Sequence, residues 1–198
     1  MLPIDIIGAL EWFPPNARPP SRYHSLERLR KTSQVGPLPE TISAEVPDWT
    51  REEPRQFWDP GRKLLRAIRK YQFWKQKPGL IPACYCKLIV LRYRFWTVVT
   101  GADIPLTSQI GGGLLIPHPN GIVIHPEAKI GVNCLIFHQV TLGSRSGPGV
   151  PEIGGHVDVG AGAKILGPVK IGPHAKIGAN AVVLTNVEAG ATATGYQR

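Results

Sequence analysis

The sequence predicts a mainly-β protein: a parallel β-helix built from six-residue repeats, preceded by a small α-helical region. Three observations carry this reading. Branched aliphatic residues recur every six positions through the second half of the chain. Glycine concentrates there too, after Gly101, whereas half of the 20 prolines fall within residues 1–60. Between these regimes lies a stretch with helical periodicity and no acidic side chain.

Residues 1–58 read as a proline-rich, mostly irregular segment. Pro14-Pro15, Pro19-Pro20, Pro37, Pro39, Pro47 and Pro54 interrupt any period, because proline lacks the N–H that a helix or strand interior needs. A short helix over 25–31 is the one regular element expected. Whether the segment wraps over a neighbouring element or stays loose is left open by composition.

Residues 59–102 predict a basic helical hairpin. Asp59-Pro60 reads as an N-cap followed by proline at the first helical position. Leu64, Leu65, Ile68 and Tyr71 then recur at helical spacing up to about Lys75, and Pro78-Gly79 stops the helix. A second helix, rich in Leu, Ile, Tyr, Phe and Trp, fits 82–99 and ends at Gly101.

From Asp103 to the last residue, Arg198, the period changes. The aliphatic ladder runs Ile104, Ile110, Ile116; then Ile124, Ile130, Ile136, Leu142; then Ile153, Val159, Ile165, Ile171, Ile177 and Val183. Neither the 2.0 period of a strand nor the 3.6 period of a helix produces this. Small residues often stand two positions earlier, as Ala128, Cys134, Ala163, Ala175 and Ala181 do, and glycine often follows, as at Gly111, Gly131, Gly143, Gly154, Gly160, Gly172 and Gly178. Short strands joined by tight, glycine-permitted corners and stacked coil on coil satisfy the pattern. The phase breaks twice: by two extra residues around 117–121 and by five around 144–151. A rigid solenoid gains nothing from interruptions, so these two loops are where function is expected.

The formal net charge is +9. Residues 60–102 hold ten Lys and Arg with no Asp or Glu, and the remainder is close to neutral, so one segment carries the excess. A solvated helical face accounts for such a run, and so does an anionic partner. An anionic membrane surface is the partner considered; no nucleic acid is expected, since no recognised nucleic-acid module accompanies the charge. Three cysteines, Cys84, Cys86 and Cys134, make no disulfide framework. The chain start lacks a basic region of the signal-peptide kind, and Arg92 and Arg94 break the longest apolar runs. A cytoplasmic protein, peripheral to the inner face of a membrane, is the corresponding expectation.

Residues 103–195 resemble the serine acetyltransferases of the hexapeptide-repeat superfamily, and among them the shorter serine-acetyltransferase-like proteins of exopolysaccharide synthesis. The resemblance is carried by 117–124 (PHPNGIVI), 128–131 (AKIG), 140–143 (VTLG) and 160–167 (GAGAKILG). It implies a left-handed parallel β-helix, the known exception to right-handed crossovers. It also implies a homotrimer with active sites between subunits, and acetyl-CoA as co-substrate lying along the prism, with no metal. The family's catalytic histidine follows its orienting aspartate by fifteen residues, which Asp103 and His118 reproduce. Such a pair suits the chemistry. Imidazole accepts the proton of an attacking hydroxyl near neutral pH, and a carboxylate on the other ring nitrogen fixes the tautomer. Backbone N–H groups at Gly143, Ala161 and Ala179 match positions that the family uses along the coenzyme. Lys164 and Lys176 are candidates for its phosphates, against a solvated-face reading.

This chain departs from the family where the amino-acid acceptor is gripped. Pro117 stands in place of the family's serine-binding aspartate, and Gly149 and Val150 align with an arginine and a second histidine of a substrate loop that is shorter here. Arg145 is the candidate replacement, and His138, two residues after Ile136, the candidate second cleft histidine. The tail after Gly195 is also short against the family pattern, leaving less cover for the coenzyme. His125, His156 and His174 read as corner residues, and Cys134 as packing. Four functions follow for comparison: O-acetyl transfer from acetyl-CoA to L-serine or a related small acceptor; the same transfer to a sugar in polysaccharide synthesis; and, from other classes, a non-catalytic scaffold or a zinc enzyme using His118, His125 and His138.

Overall fold

The computed structural model describes residues 42–197, which form one compact unit. The predicted helix at 25–31 lies outside the described residues. A short 3-10 helix, Trp49–Glu52, is followed by α1 (Pro60–Lys75) and α2 (Leu80–Thr100). Thirteen strands of two or three residues each then wind from Gln109 to Gln197 as a left-handed parallel β-helix.

Each coil contributes one strand to each of three parallel sheets, which are the faces of a triangular prism. Face A carries the outward ladder Val123, Thr141, Lys164, Val182, Tyr196. Face B carries Gln109, Lys129, Glu152, Lys170, and face C carries Leu135, Asp158, Lys176, Thr192. The residue after each ladder position points inward. All thirteen aliphatic ladder residues are buried, from Ile104 at 0% to Ile110 at 9% exposure. Ala128, Cys134, Ala163, Ala175 and Ala181 are fully buried two positions earlier, and Leu114, Ile122, Val140, Val157 and Val169 fill the same inward slot in other strands.

The glycines after the ladder residues act differently from the expectation. None of Gly111, Gly131, Gly143, Gly154, Gly160, Gly172 or Gly178 has positive φ. Most are there because successive coils stack too closely for a side chain: a Cβ on Gly131 would stand 2.5 Å from the Gly154 backbone. The left-handed conformation falls two residues after the ladder glycine at Gly113, Asn133, His156 and His174 on one edge and at Gly162 and Asn180 on another, where Gly121 and Gln139 also adopt it. Asn133 and Asn180 are of the residue type that visits this region most readily after glycine.

The hairpin caps the first coil. Leu64, Leu65, Ala67 and Ile68 of α1 are buried, and a Cβ on Gly61 would strike the carbonyl of Ile116. Tyr93 Oη donates to Ile104 O at 2.9 Å, and Gln72 Nε2 donates to Leu106 O and Ser108 O. These contacts satisfy the end of the solenoid that has no coil above it. Gly101 ends α2 at φ 63, donating to Thr97 O. Asp59 is the N-cap residue of α1 with Pro60 at the first helical position, as the Asp-Pro pair suggested, and its carbonyl accepts from Lys63 N–H at 3.0 Å, but its side chain makes no capping bond. Its carboxylate instead accepts from Arg55 N–H and the Arg62 guanidinium, at 3.2 and 3.0 Å.

Residues 43–49 lie along the edge between faces B and C, with Ala44 over Gly155 and Pro47 and Trp49 over Gly112. Asn133, 1% exposed, donates through Nδ2 to Ser43 O and Val46 O and accepts from Asp48 N–H, each at 2.8 Å. Glu52 and Arg69 then clasp segment, helix and coil together. The guanidinium binds both Glu52 oxygens and the carbonyls of Ile110 and Gly111.

Candidate functional site

The first phase break places His118 on the edge between faces C and A. Two extra residues let the chain bulge between buried Ile116 and Ile122, so His118 is exposed at the bulge. One coil below, His138 turns the same edge. The two imidazoles lie 6.3 Å apart, edge to face at 81°. Asp103 stands on face A above Val123, held by backbone bonds from its N–H to Ile122 O and from Ile124 N–H to its carbonyl. Its neighbours Ala102 and Ile104 are buried, so its carboxylate is the outward member of that row. No hydrogen bond joins Asp103 to His118 among the described residues.

Below the histidines the edge continues in register. Gln139 N–H donates to Asn120 O, Gly162 N–H to His138 O, and Asn180 N–H to Ala161 O. Asn120, His138, Ala161 and Ala179 therefore form one column. Their own N–H groups find no partner among the described residues. Unsatisfied main-chain donors in a row suit a ligand with carbonyl or phosphate oxygens. Lys164 and Lys176 flank the column, one on face A and one on face C. Lys164 Nζ is turned back on Gln139 O at 2.6 Å and Thr141 Oγ1 at 3.1 Å. Lys176 is exposed. Gly143 and Arg145 sit elsewhere. Gly143 closes its strand beside Leu166, and Arg145 stands over Gly167 on the edge between faces A and B. Within one protomer Arg145 does not join His118.

His125 follows Ile124 onto that same A–B edge, its Nδ1 accepting from Glu127 N–H at 3.2 Å. His118, His125 and His138 therefore do not converge, and among the described residues no three His, Cys, Asp or Glu side chains gather around a metal-sized site. His156 and His174 turn the B–C edge with their Nδ1 atoms 2.8 Å apart, and burial draws the His156 pKa below its usual range. Cys134 is fully buried, and desolvation pushes its thiol up to about 11, which fits packing and not nucleophilic chemistry.

One lining was missed in the sequence. Beside Pro117 a groove of about 430 Å³ opens between the first coil and the start of α1, lined by Arg55, Gln56, Trp58, Arg62 and Leu115. Its signal was available in Trp58, an aromatic residue just before a helix start, but only the tertiary fold brings it to Pro117.

A family model described as bacterial transferase hexapeptide (six repeats) matches residues 151–185. A serine acetyltransferase of Helicobacter pylori is 46% identical over 100 residues, covering 49% of this chain and 58% of the relative. One of Mycobacterium tuberculosis is 43% identical over 79 residues, covering 38% and 34%. The chain thus spans only part of the length of the curated relatives it matches. Soybean serine acetyltransferase complexed with serine superposes with a TM-score of 0.58 and 37% identity, over 69% of this chain and 55% of that one. A serine acetyltransferase in complex with CoA gives 0.57 and 33%, over 70% and 55%.

Proposed function

We propose that this chain, whose β-helical half is of the hexapeptide-repeat transferase kind and similar to serine acetyltransferases, transfers an acetyl group from acetyl-CoA to a hydroxyl of L-serine or a closely related acceptor. The observation that carries the proposal is the C–A edge: His118 faces His138 at the phase break, above a column of unfilled backbone donors flanked by two lysines. That arrangement suits a base at one end of an extended anionic co-substrate.

In this reading His118 takes the hydroxyl proton as the acceptor oxygen attacks the thioester carbonyl. The new C–O bond forms, a free N–H of the edge stabilises the oxyanion, and collapse breaks the C–S bond. The imidazolium returns its proton to the departing thiolate, leaving the acetyl ester and CoA. Asp103 is the positioning residue, holding the imidazole tautomer once the ring swings toward face A. The acyl group passes directly, so Cys134 has no part. With serine as acceptor, the product feeds cysteine biosynthesis. A homotrimer, completing each site with a neighbour's residues, accounts for Arg145 lying away from His118 in a single protomer. Light scattering tests this: a monodisperse, active monomer contradicts the shared site.

A sugar acceptor is the second reading, favoured by one observation. Pro117 replaces a carboxylate, and the adjoining groove offers the exposed Trp58 ring beside Arg55 and Gln56. An indole face with neighbouring polar groups fits a sugar ring. Measurement of CoA release from acetyl-CoA with serine, homoserine and nucleotide sugars separates the readings. Turnover with serine supports the first and turnover only with a sugar the second. Release with no acceptor above the rate of hydrolysis removes both.

A further inference from the structure

Helix α2 has two apolar faces and the fold uses one. Ile89, Trp96 and Thr100 are buried against the rest of the unit, with Tyr93 beside them. The opposite face carries Ile81, Cys84, Leu88, Leu91, Phe95 and Val98, at alternating spacings of three and four residues that draw a single stripe along a helix. Ile81, Leu88, Leu91, Phe95 and Val98 are 81, 64, 68, 55 and 83% exposed. The stripe runs about 26 Å at the rise of an α-helix. A contiguous apolar surface of this kind marks a contact.

The flanks say what kind of contact. Lys87 and Arg94 border the stripe on one side and Arg92 on the other, and no acid occurs anywhere in residues 60–102. A second copy of this helix, in either orientation, would set cation against cation along both flanks, an arrangement that opposes pairing. At the end of α1, Phe73 is 56% exposed with the Lys77 ammonium over its ring. Aliphatic and aromatic side chains bordered only by cations complement an anionic lipid surface, where the apolar stripe enters the acyl boundary and the cations meet headgroups. No described helix is long and apolar enough to cross a membrane, so the contact is one of lying on the surface.

We propose that α2 docks lengthwise on an anionic lipid surface through Leu88, Leu91, Phe95 and Val98, with Lys87, Arg92 and Arg94 at the headgroups. The proposal is independent of which acceptor the transferase uses. The test is sedimentation of the full chain with vesicles of phosphatidylcholine containing one part in three phosphatidylglycerol, and with phosphatidylcholine alone, at low and high salt. The expected result is binding to the anionic vesicles only, weakened by salt. Leu88→Gln with Leu91→Gln should lower the partition coefficient at least about ten-fold. Lys87→Glu with Arg94→Glu should lower it by roughly five-fold or more per cation. Both variants keep the parent melting temperature, because the altered side chains face outward. No sedimentation with anionic vesicles at low salt overturns the proposal, as does equal binding to neutral vesicles or binding unchanged in the leucine variant. Sedimentation velocity covers the rival occupant: self-association that Leu88→Gln with Leu91→Gln abolishes would assign the stripe to a second copy, and binding of an acidic amphipathic peptide but not of vesicles would assign it to a protein.

Discussion

Arg69→Met should detach the helical cap from the β-helix. The arginine makes two bonds to Glu52, at 3.1 and 2.9 Å, and two to the carbonyls of Ile110 and Gly111, at 2.6 and 2.7 Å. Glu52 also accepts from Leu114 N–H at 3.1 Å, and its side chain is 8% exposed. Methionine keeps the length and the apolar stem but leaves a buried carboxylate without its counter-charge. Removing one partner of a buried pair costs about 3–5 kcal/mol. The Arg69 side chain is 22% exposed, so water reaches part of the gap and the lower end, about 3 kcal/mol, is expected. Urea unfolding measures it, read as a lower midpoint at unchanged slope. Glu52→Gln combined with Arg69→Met should cost less than the sum of the single changes, by about 1–3 kcal/mol. A loss below about 1 kcal/mol for Arg69→Met, in the range of exposed pairs, would refute the view that this clasp holds the cap.

Three further outcomes follow from particular groups. Asp103→Asn should lower turnover with little change in coenzyme affinity, as expected of a residue that orients the base; steady-state kinetics and CoA titration check this, and full activity removes Asp103 from the site. Native protein treated with a thiol reagent at pH 8 should modify Cys84, which is exposed, and leave buried Cys134 until urea is added, its thiol held near 11 by burial; three equivalents reacting quickly in the native state contradict this. The lowered pKa of His156 means that the unfolded chain binds its proton first as pH falls. His156 thus contributes stability above the usual histidine pKa of about 6.5, lost as pH drops through that value toward the folded one. The melting temperature should fall more between pH 7.5 and 5.5 in the parent than in His156→Asn, and parallel falls would contradict the assignment.

Much of the fold was legible because the β-helix writes its geometry locally. A residue such as Ile165 meets only the coils above and below, so its position in the repeat decides its burial. The glycines were legible as a pattern but not as a mechanism. Gly131 is set by the approach of Gly154 in the next coil, a contact between residues a full coil apart, and the left-handed turn belongs to Asn133. Residues 42–58 could not be placed from composition. Their anchors are backbone groups of Ser43, Val46 and Asp48 meeting Asn133, and main-chain atoms leave no trace in the side-chain pattern. For the candidate site, the phase break identified the loop, and stacking in register brought His138, Ala161 and Ala179 under it. Arg145 lies on the A–B edge because its loop leaves face A after Leu142 and re-enters on face B at Ile153; its residue type alone did not say that this edge is away from His118. The exposed stripe of α2 was concealed by its own residue types, because Leu88 and Leu91 look like core until their surroundings are known.

His118 as the base is the step on which the proposed transfer depends. The most direct measurement is CoA release by His118→Ala beside the parent protein, with CoA binding and melting temperature followed on the same samples. A rate loss of roughly 10²–10⁴ is expected, with both controls unchanged, since the side chain is exposed. A variant that retains its rate to within a few-fold, correctly folded and binding CoA, would contradict it.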